Sequence, residues 1–143
     1  MIIAPGLEEK VTILQEKLKG SIFTIIQAEM LEIGLKKVSA RFPVNDATKQ
    51  AFGVLHGGVS AYVAESIASI GGWLHINFET QTCVGIEINA SHLKAVDEGM
   101  VTATATPLRI GKTIHVWQVE CRDSQDELVS ISQCTLLVRM RKK

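Results

Sequence analysis

The sequence carries no excess charge. Lys plus Arg and Asp plus Glu each number 15, so the formal net charge is zero. That removes any global electrostatic reason to expect nucleic acid or an anionic membrane as partner. Cysteine is scarce and unpatterned. Cys83, Cys121 and Cys134 lack metal-ligand spacing, and three cannot all pair, so no metal is expected. They read as reduced thiols of a cytoplasmic protein. The opening Met1-Ile2-Ile3-Ala4-Pro5-Gly6 has no basic stretch followed by a long apolar one, so no signal peptide is expected. No internal repeat and no low-complexity linker divides the chain. A length of 143 residues fits one domain, 1–143, and a hydrophobic fraction of 46% supplies one core.

What is present is one acid in an unexpected place. Residues 57–74 are apolar or small throughout, with Glu65 as the only charge. A helix that is hydrophobic on every face is a buried helix. A lone carboxylate on it must be paired, protonated or functional, because an unpaired buried charge is costly. By length alone the run is a membrane-span candidate. Its Gly, Ser and Ala content and Glu65 favour a core helix instead. Just before it stand Gln50-Ala51-Phe52-Gly53-Val54-Leu55-His56-Gly57-Gly58, which set an amide, an imidazole and a glycine pair at the expected helix start.

The flanking segments supply a sheet. Leu7, Val11, Leu14 and Leu18 have helical spacing, and Gly20 ends that helix. Ser21 to Ile26 is ambiguous. Ala28 to Ile33 and Leu35 to Val44 read as two strands joined at Gly34. After the central helix, Gly57 to His75, the period changes to two. Strands are expected over Cys83–Val96, Val101–Ile110, Ile114–Cys121 and Val129–Val138, followed by a solvated tail from Arg139 to Lys143. The order predicts an α+β architecture, one antiparallel sheet wrapped around one long helix. A sheet this small cannot cover a long apolar helix alone, so a dimer that extends the sheet is expected, and then a higher assembly.

The elements Gln50…His56-Gly57-Gly58…Glu65…Ser69, with Gly85-Ile86-Glu87-Ile88-Asn89-Ala90-Ser91-His92-Leu93-Lys94 and Gly111-Lys112-Thr113-Ile114-His115-Val116-Trp117, resemble the hotdog-fold acyl-CoA thioesterases. The likeness is strongest to the branch with the phenylacetate-pathway and 1,4-dihydroxy-2-naphthoyl-CoA thioesterases, the latter serving menaquinone biosynthesis. It covers about Ile26 to Val138. One departure is Ala51, where that branch often has proline. The resemblance implies a homotetramer built as a dimer of dimers. It also implies hydrolysis of an aromatic or medium-sized acyl-CoA without a cofactor, coenzyme A being part of the substrate.

Thioester hydrolysis needs a polarised carbonyl, a nucleophile and a stabilised oxyanion. A helix N-terminus offers free N–H groups and the positive end of the dipole. Gly57 there lets a thioester approach closely and aims an N–H at its oxygen. Glu65 is then the nucleophile or the general base on water. It stands eight residues from Gly57, or roughly 12 Å along a helix, so one helix cannot easily bring both to one carbon. The family resemblance implies that His56 and Gly57 come from one subunit and Glu65 from the other. Ser69, four residues beyond Glu65, shares its face and could hold the attacking water. Gln50 could bond the thioester or the acid. Coenzyme A carries phosphates and calls for local cations. His92 and Lys94, read as alternate positions of one strand, are the first choices, with Arg109 and Lys112 near turns behind them. The rival of a different class is a non-catalytic acyl-CoA binding module on the same fold. A hotdog dehydratase or hydratase is a second rival.

Overall fold

A computed structural model of the chain describes residues 1–141. In chain order the elements are β1 (Ile2–Ile3), α1 (Glu8–Leu18), α2 (Ile22–Ile25), β2 (Glu29–Ile33), β3 (Val38–Pro43), α3 (Gly57–Leu74), β4 (Gln81–His92), β5 (Met100–Ile110), β6 (Ile114–Arg122) and β7 (Leu128–Met140). The strands form one seven-stranded sheet in the order β1-β2-β3-β5-β6-β7-β4. Every pairing is antiparallel except that of β1 with β2. The α+β arrangement expected from the sequence is the one observed.

The sheet takes α3 onto one face. Val63, Ala64, Ile67 and Ala68 of the helix are fully buried, as are Val101, Ala103 and Ala105 of β5 and Trp117 and Val119 of β6. Burial of each large apolar side chain contributes about 1.5–3 kcal/mol. The glycine pair near the helix end permits the close approach. A Cβ on Gly71 would fall 2.5 Å from the Trp117 ring. The helix C-terminus leaves carbonyls without intrahelical partners. Lys10 of α1 reaches across and donates to Leu74 O at 2.8 Å and Ile76 O at 3.0 Å. Its ammonium also lies 5.5 Å from the Trp73 ring centroid.

Three expectations need correction. The strand read as Cys83–Val96 runs Gln81–His92 and carries a bulge between Gly85 and Glu87. The segment after it is apolar enough to pass for strand, but Leu55 N bonds Val96 O, which docks it beneath the loop before α3. The final strand continues to Met140, and Arg141 N bonds Thr80 O, so Arg139, Met140 and Arg141 of the expected solvated tail are exposed but held by strand pairing and that bond. Lys142 and Lys143 lie outside the described residues. Lastly, α3 is not covered on every side. His56, Gly58 and Glu65 are exposed and Tyr62, Ser66 and Ser69 are half-buried, because one sheet can cover only one face of a helix.

Candidate active site

The loop before α3 is tightly tied, and it fixes the helix start. Thr48 Oγ1 donates to Pro43 O and accepts from Asn45 N, both at 2.8 Å. His56 N bonds Thr48 O at 2.9 Å. Gln50 N bonds Val54 O, and the Gln50 side-chain oxygen accepts from Phe52 N. That leaves the Gln50 amide NH2 free to donate. Gly53, at φ 87°, supplies the turn that a side chain would strain.

His56 is the N-cap residue of α3. Its backbone is extended, and its Nδ1 accepts from Gly58 N at 2.8 Å. An acceptor nitrogen carries no hydrogen, so the proton of the neutral ring sits on Nε2. His56 O accepts from Val59 N. The Gly57 N–H has no partner among the described residues. It is the open donor at the positive end of an 18-residue helix.

His92 packs directly against this donor. A Cβ on Gly57 would fall 2.6 Å from His92 Nε2. A side chain there would displace the imidazole, so the residue that exposes the N–H also makes room for the ring in this position. Gln50, Gly57, Ser60, His92 and Lys94 border one groove of about 370 Å³. Ser60, one turn below Gly57, is buried, and its hydroxyl has no partner among the described residues. The sequence reading did not single it out.

Glu65 stands apart from this groove. Its carboxylate lies over Gly85 of β4, where a Cβ would come 2.5 Å from Oε1. It is exposed, contrary to the expectation of a buried charge. Around it β4 is a twelve-residue sheet edge with Ile86 54% exposed. Long apolar edges are unusual on isolated proteins. Ser69 borders a separate apolar hollow with Leu14, Ile70 and Trp73.

The four expected coenzyme A cations divide into two groups. Lys94 lies beyond the end of β4 rather than on it, so the shared-face argument with His92 does not hold. Its ammonium is held between Asp123, at 2.5 Å, and Glu127. Those bonds raise the Lys94 pKa and lower that of Asp123. Two carboxylates thus satisfy the charge that a phosphate would need. Arg109 and Lys112 lie at the other end of the sheet. His92 pairs with Ser130, whereas Arg109 pairs with Val116 and, through it, Thr135. Five residues along a strand is roughly 17 Å.

The remaining reactive side chains do not compete for the chemistry. All three thiols are free. Burial pushes Cys83 up to about 11 and Cys134 up to about 12, which disfavours thiolate. Among the described residues no cluster of His, Cys, Asp or Glu is arranged to hold a metal. Among the described residues no helix is long and apolar enough to cross a membrane.

Comparison with known proteins gives a consistent result. The model of the Thioesterase superfamily matches residues 52–130. The provisionally named esterase ComA2 of Bacillus subtilis is 44% identical over 121 residues, 85% of this chain and 96% of that protein. The 1,4-dihydroxy-2-naphthoyl-CoA hydrolase of Listeria monocytogenes is 39% identical over 118 residues, 82% of this chain and 95% of that one. The crystal structure of a thioesterase from Haemophilus influenzae superposes with a TM-score of 0.84 at 41% identity, covering 89% of this chain and 88% of that one.

Proposed function

Because the chain belongs to the thioesterase superfamily and is a CoA-thioester hydrolase of hotdog fold, we propose that its substrate is an aromatic acyl-CoA and that two chains share each active site. The relatives named as 1,4-dihydroxy-2-naphthoyl-CoA hydrolases, in Listeria monocytogenes and Escherichia coli, make that compound the first substrate to test. The catalytic arrangement rests on one observation. Gly57 and Glu65 occupy one helix, yet Gly57 faces His92 while Glu65 faces Gly85.

A second copy resolves the separation. Two β4 edges paired antiparallel about an axis between Ile88 and Asn89 set Gly85 of one copy opposite His92 of the other. That register carries Glu65 of the second copy towards Gly57 of the first. It also pairs the unsatisfied edge and covers Ile86. The second copy's Arg109 and Lys112 then lie at the same end of the joined sheet as His92. Further pairing of dimers gives the tetramer expected in the cytoplasm.

In such a site the Gly57 N–H and the helix dipole polarise the thioester carbonyl and stabilise the oxyanion. Losing one such donor costs about 10²–10³ in rate. Gln50 has a free amide donor for the same oxygen or for the acid. Glu65 acts by one of two routes. As general base it takes a proton from water, whose oxygen attacks the carbonyl carbon. The C–S bond then breaks, and the proton passes to the departing sulfur. As nucleophile it attacks the carbon itself, the C–S bond breaks and the coenzyme A thiolate leaves and takes up a proton; water then opens the resulting anhydride, which releases the acid and restores the Glu65 carboxylate. Both routes end in free acid and coenzyme A.

The test is a panel of acyl-CoAs assayed for released thiol. Aromatic acyl-CoAs should give the highest kcat/KM. Absence of thiol release from every aromatic member, with a folded dimer demonstrated, would reject the reading.

A further inference from the structure

The first turns of α3 and the end of β4 enclose hydroxyls that the fold leaves without partners. Ser60 is 1% exposed and Ser130 is fully buried, and neither hydroxyl has a hydrogen-bond partner among the described residues. On β6 the residue in register with Ser130 is Cys121, whose thiol is a weak partner. A helical serine can turn back to the carbonyl four residues earlier. Ser66 does so and donates to Tyr62 O at 2.7 Å. Ser60 does not, and His56 O accepts from Val59 N and Ser60 N instead. A buried hydroxyl left unbonded destabilises a fold relative to an apolar group in its place, so stability does not explain these two serines.

Both hydroxyls flank one side chain. Ser130 is the cross-strand partner of His92. Partners in an antiparallel pair put their side chains on one face, with Cβ atoms about 4.5–5.5 Å apart. Ser60 stands one turn beyond Gly57, and the His92 ring occupies the space where a Gly57 side chain would begin. Helical Cβ atoms tilt towards the N-terminus, which aims Ser60 back towards that ring. Ser60 and His92 border the same groove. The His92 ring nitrogens make no hydrogen bond among the described residues.

We propose that Ser60 and Ser130 are positioning residues, whose hydroxyls hydrogen-bond the His92 ring and hold it beside the Gly57 donor. The proposal rests on the assignment of Gly57 as the carbonyl-binding donor. A neutral imidazole has one donor and one acceptor nitrogen, and a hydroxyl can serve either. The ring already packs on Gly57, so a small swing brings it into the space that a thioester oxygen must take on the Gly57 N–H. Supporting bonds of this kind hold site groups within about 0.5 Å of the productive geometry. A misplacement of about 1 Å can cost 10²-fold in rate. Ser132 supplies the control. It is buried on the same face of β7 and its hydroxyl is equally unbonded among the described residues, but its strand neighbours are Ala90 and Val119.

The test measures kcat/KM for benzoyl-CoA, Tm and the His92 ring signals by NMR in Ser60→Ala, Ser130→Ala and Ser132→Ala, each alone and combined with His92→Ala. The last substitution also identifies the His92 signals among the four histidines. Ser60→Ala and Ser130→Ala should each lower kcat/KM about tenfold while His92 is present. In the His92→Ala background they should change it less than about twofold, the non-additivity of groups that act through one another. Their Tm should equal or exceed that of the wild type, because an unbonded hydroxyl is removed. Ser132→Ala should keep wild-type kcat/KM. Equal losses in both backgrounds, or a loss in Ser132→Ala matching that in Ser130→Ala, would overturn the proposal, since the hydroxyls would then act without His92. Unchanged kinetics or a lowered Tm in both Ser60→Ala and Ser130→Ala would overturn it as well. The ring signals do not depend on the substrate. They should shift in Ser60→Ala and Ser130→Ala and stay in place in Ser132→Ala, and unshifted signals in the first two would reject the contact. Shifted signals in a protein that leaves benzoyl-CoA intact would support the contact and count against the aromatic substrate alone.

Discussion

Gly85→Ala separates catalysis from stability more cleanly than removal of the acid itself. The new Cβ would fall 2.5 Å from Glu65 Oε1, while nothing else lies as near. Ordinary contact between such atoms begins roughly 1 Å further out. The carboxylate is the far end of a flexible side chain, so it moves and the backbone does not. A misplacement of about 1 Å at a reacting group can cost 10²-fold in rate. Hence kcat should fall by about a hundredfold, equivalent to about 2.7 kcal/mol of activation free energy. Stability should move the other way. Gly85 has no positive φ, so alanine is not strained there. It reduces unfolded-state entropy and stabilises by about 0.4–1 kcal/mol. Thiol-release kinetics and thermal unfolding of the same preparation give both numbers. A variant with wild-type kcat would refute the placement of Glu65 over Gly85 as the catalytic pose. A variant that loses both activity and Tm would refute the claim that only the carboxylate yields.

Glu65→Gln should keep the fold and lower kcat by at least about a hundredfold, as expected for loss of a general base or nucleophile. Turnover near the wild-type value would exclude that role. His115 is buried, and its pKa lies below the ordinary 6.5 through burial and the neighbouring His75. The unfolded chain therefore takes up a proton before the folded one does. Stability should be complete above about pH 6.5 and should decline as pH falls towards the folded value. Tm profiles from pH 7.5 down to 5 should show this slope in the wild type and a flatter one in His115→Gln. Lys10→Met should cost about 1–3 kcal/mol, because the Leu74 and Ile76 carbonyls lose their charged donor. Urea unfolding at pH 7 measures it, and an unchanged midpoint would show that water replaces the ammonium.

The central helix was legible because its composition is extreme. Eighteen residues with one charge can be little else, and the glycine pair after His56 marks its start. The sheet was legible from period two wherever one strand face is buried, as in β5 and β6, whose alternate residues are buried. The signal failed at β4. It is an edge strand whose later residues are largely exposed, so its apolar residues do not mark a face buried within the chain. Leu93-Lys94-Ala95-Val96, apolar except for Lys94, continues the pattern past the true end, and its Val96 carbonyl is bonded by Leu55 rather than by a strand partner. Lys94 could not be judged from its neighbours, because Asp123 and Glu127 meet it from 29 and 33 residues away. Exposure of Glu65 was hidden for a related reason. Hydrophobic composition does not say which face of a helix the sheet covers, and Glu65 lies on the uncovered one.

A shared active site is tested most directly by mixing two inactive parents. Glu65→Gln removes the acid. Gly57→Val drives a side chain into the His92 ring and blocks the carbonyl donor. If each site takes its donor from one chain and its acid from the other, a mixed dimer has one doubly damaged site and one intact site. Random exchange at equal concentrations then leaves about a quarter of all sites intact, so the mixture should recover about a quarter of wild-type activity. Activity no higher than the sum of the parents, with exchange demonstrated by mass measurement of the mixed dimer, would show that each chain carries its own complete site.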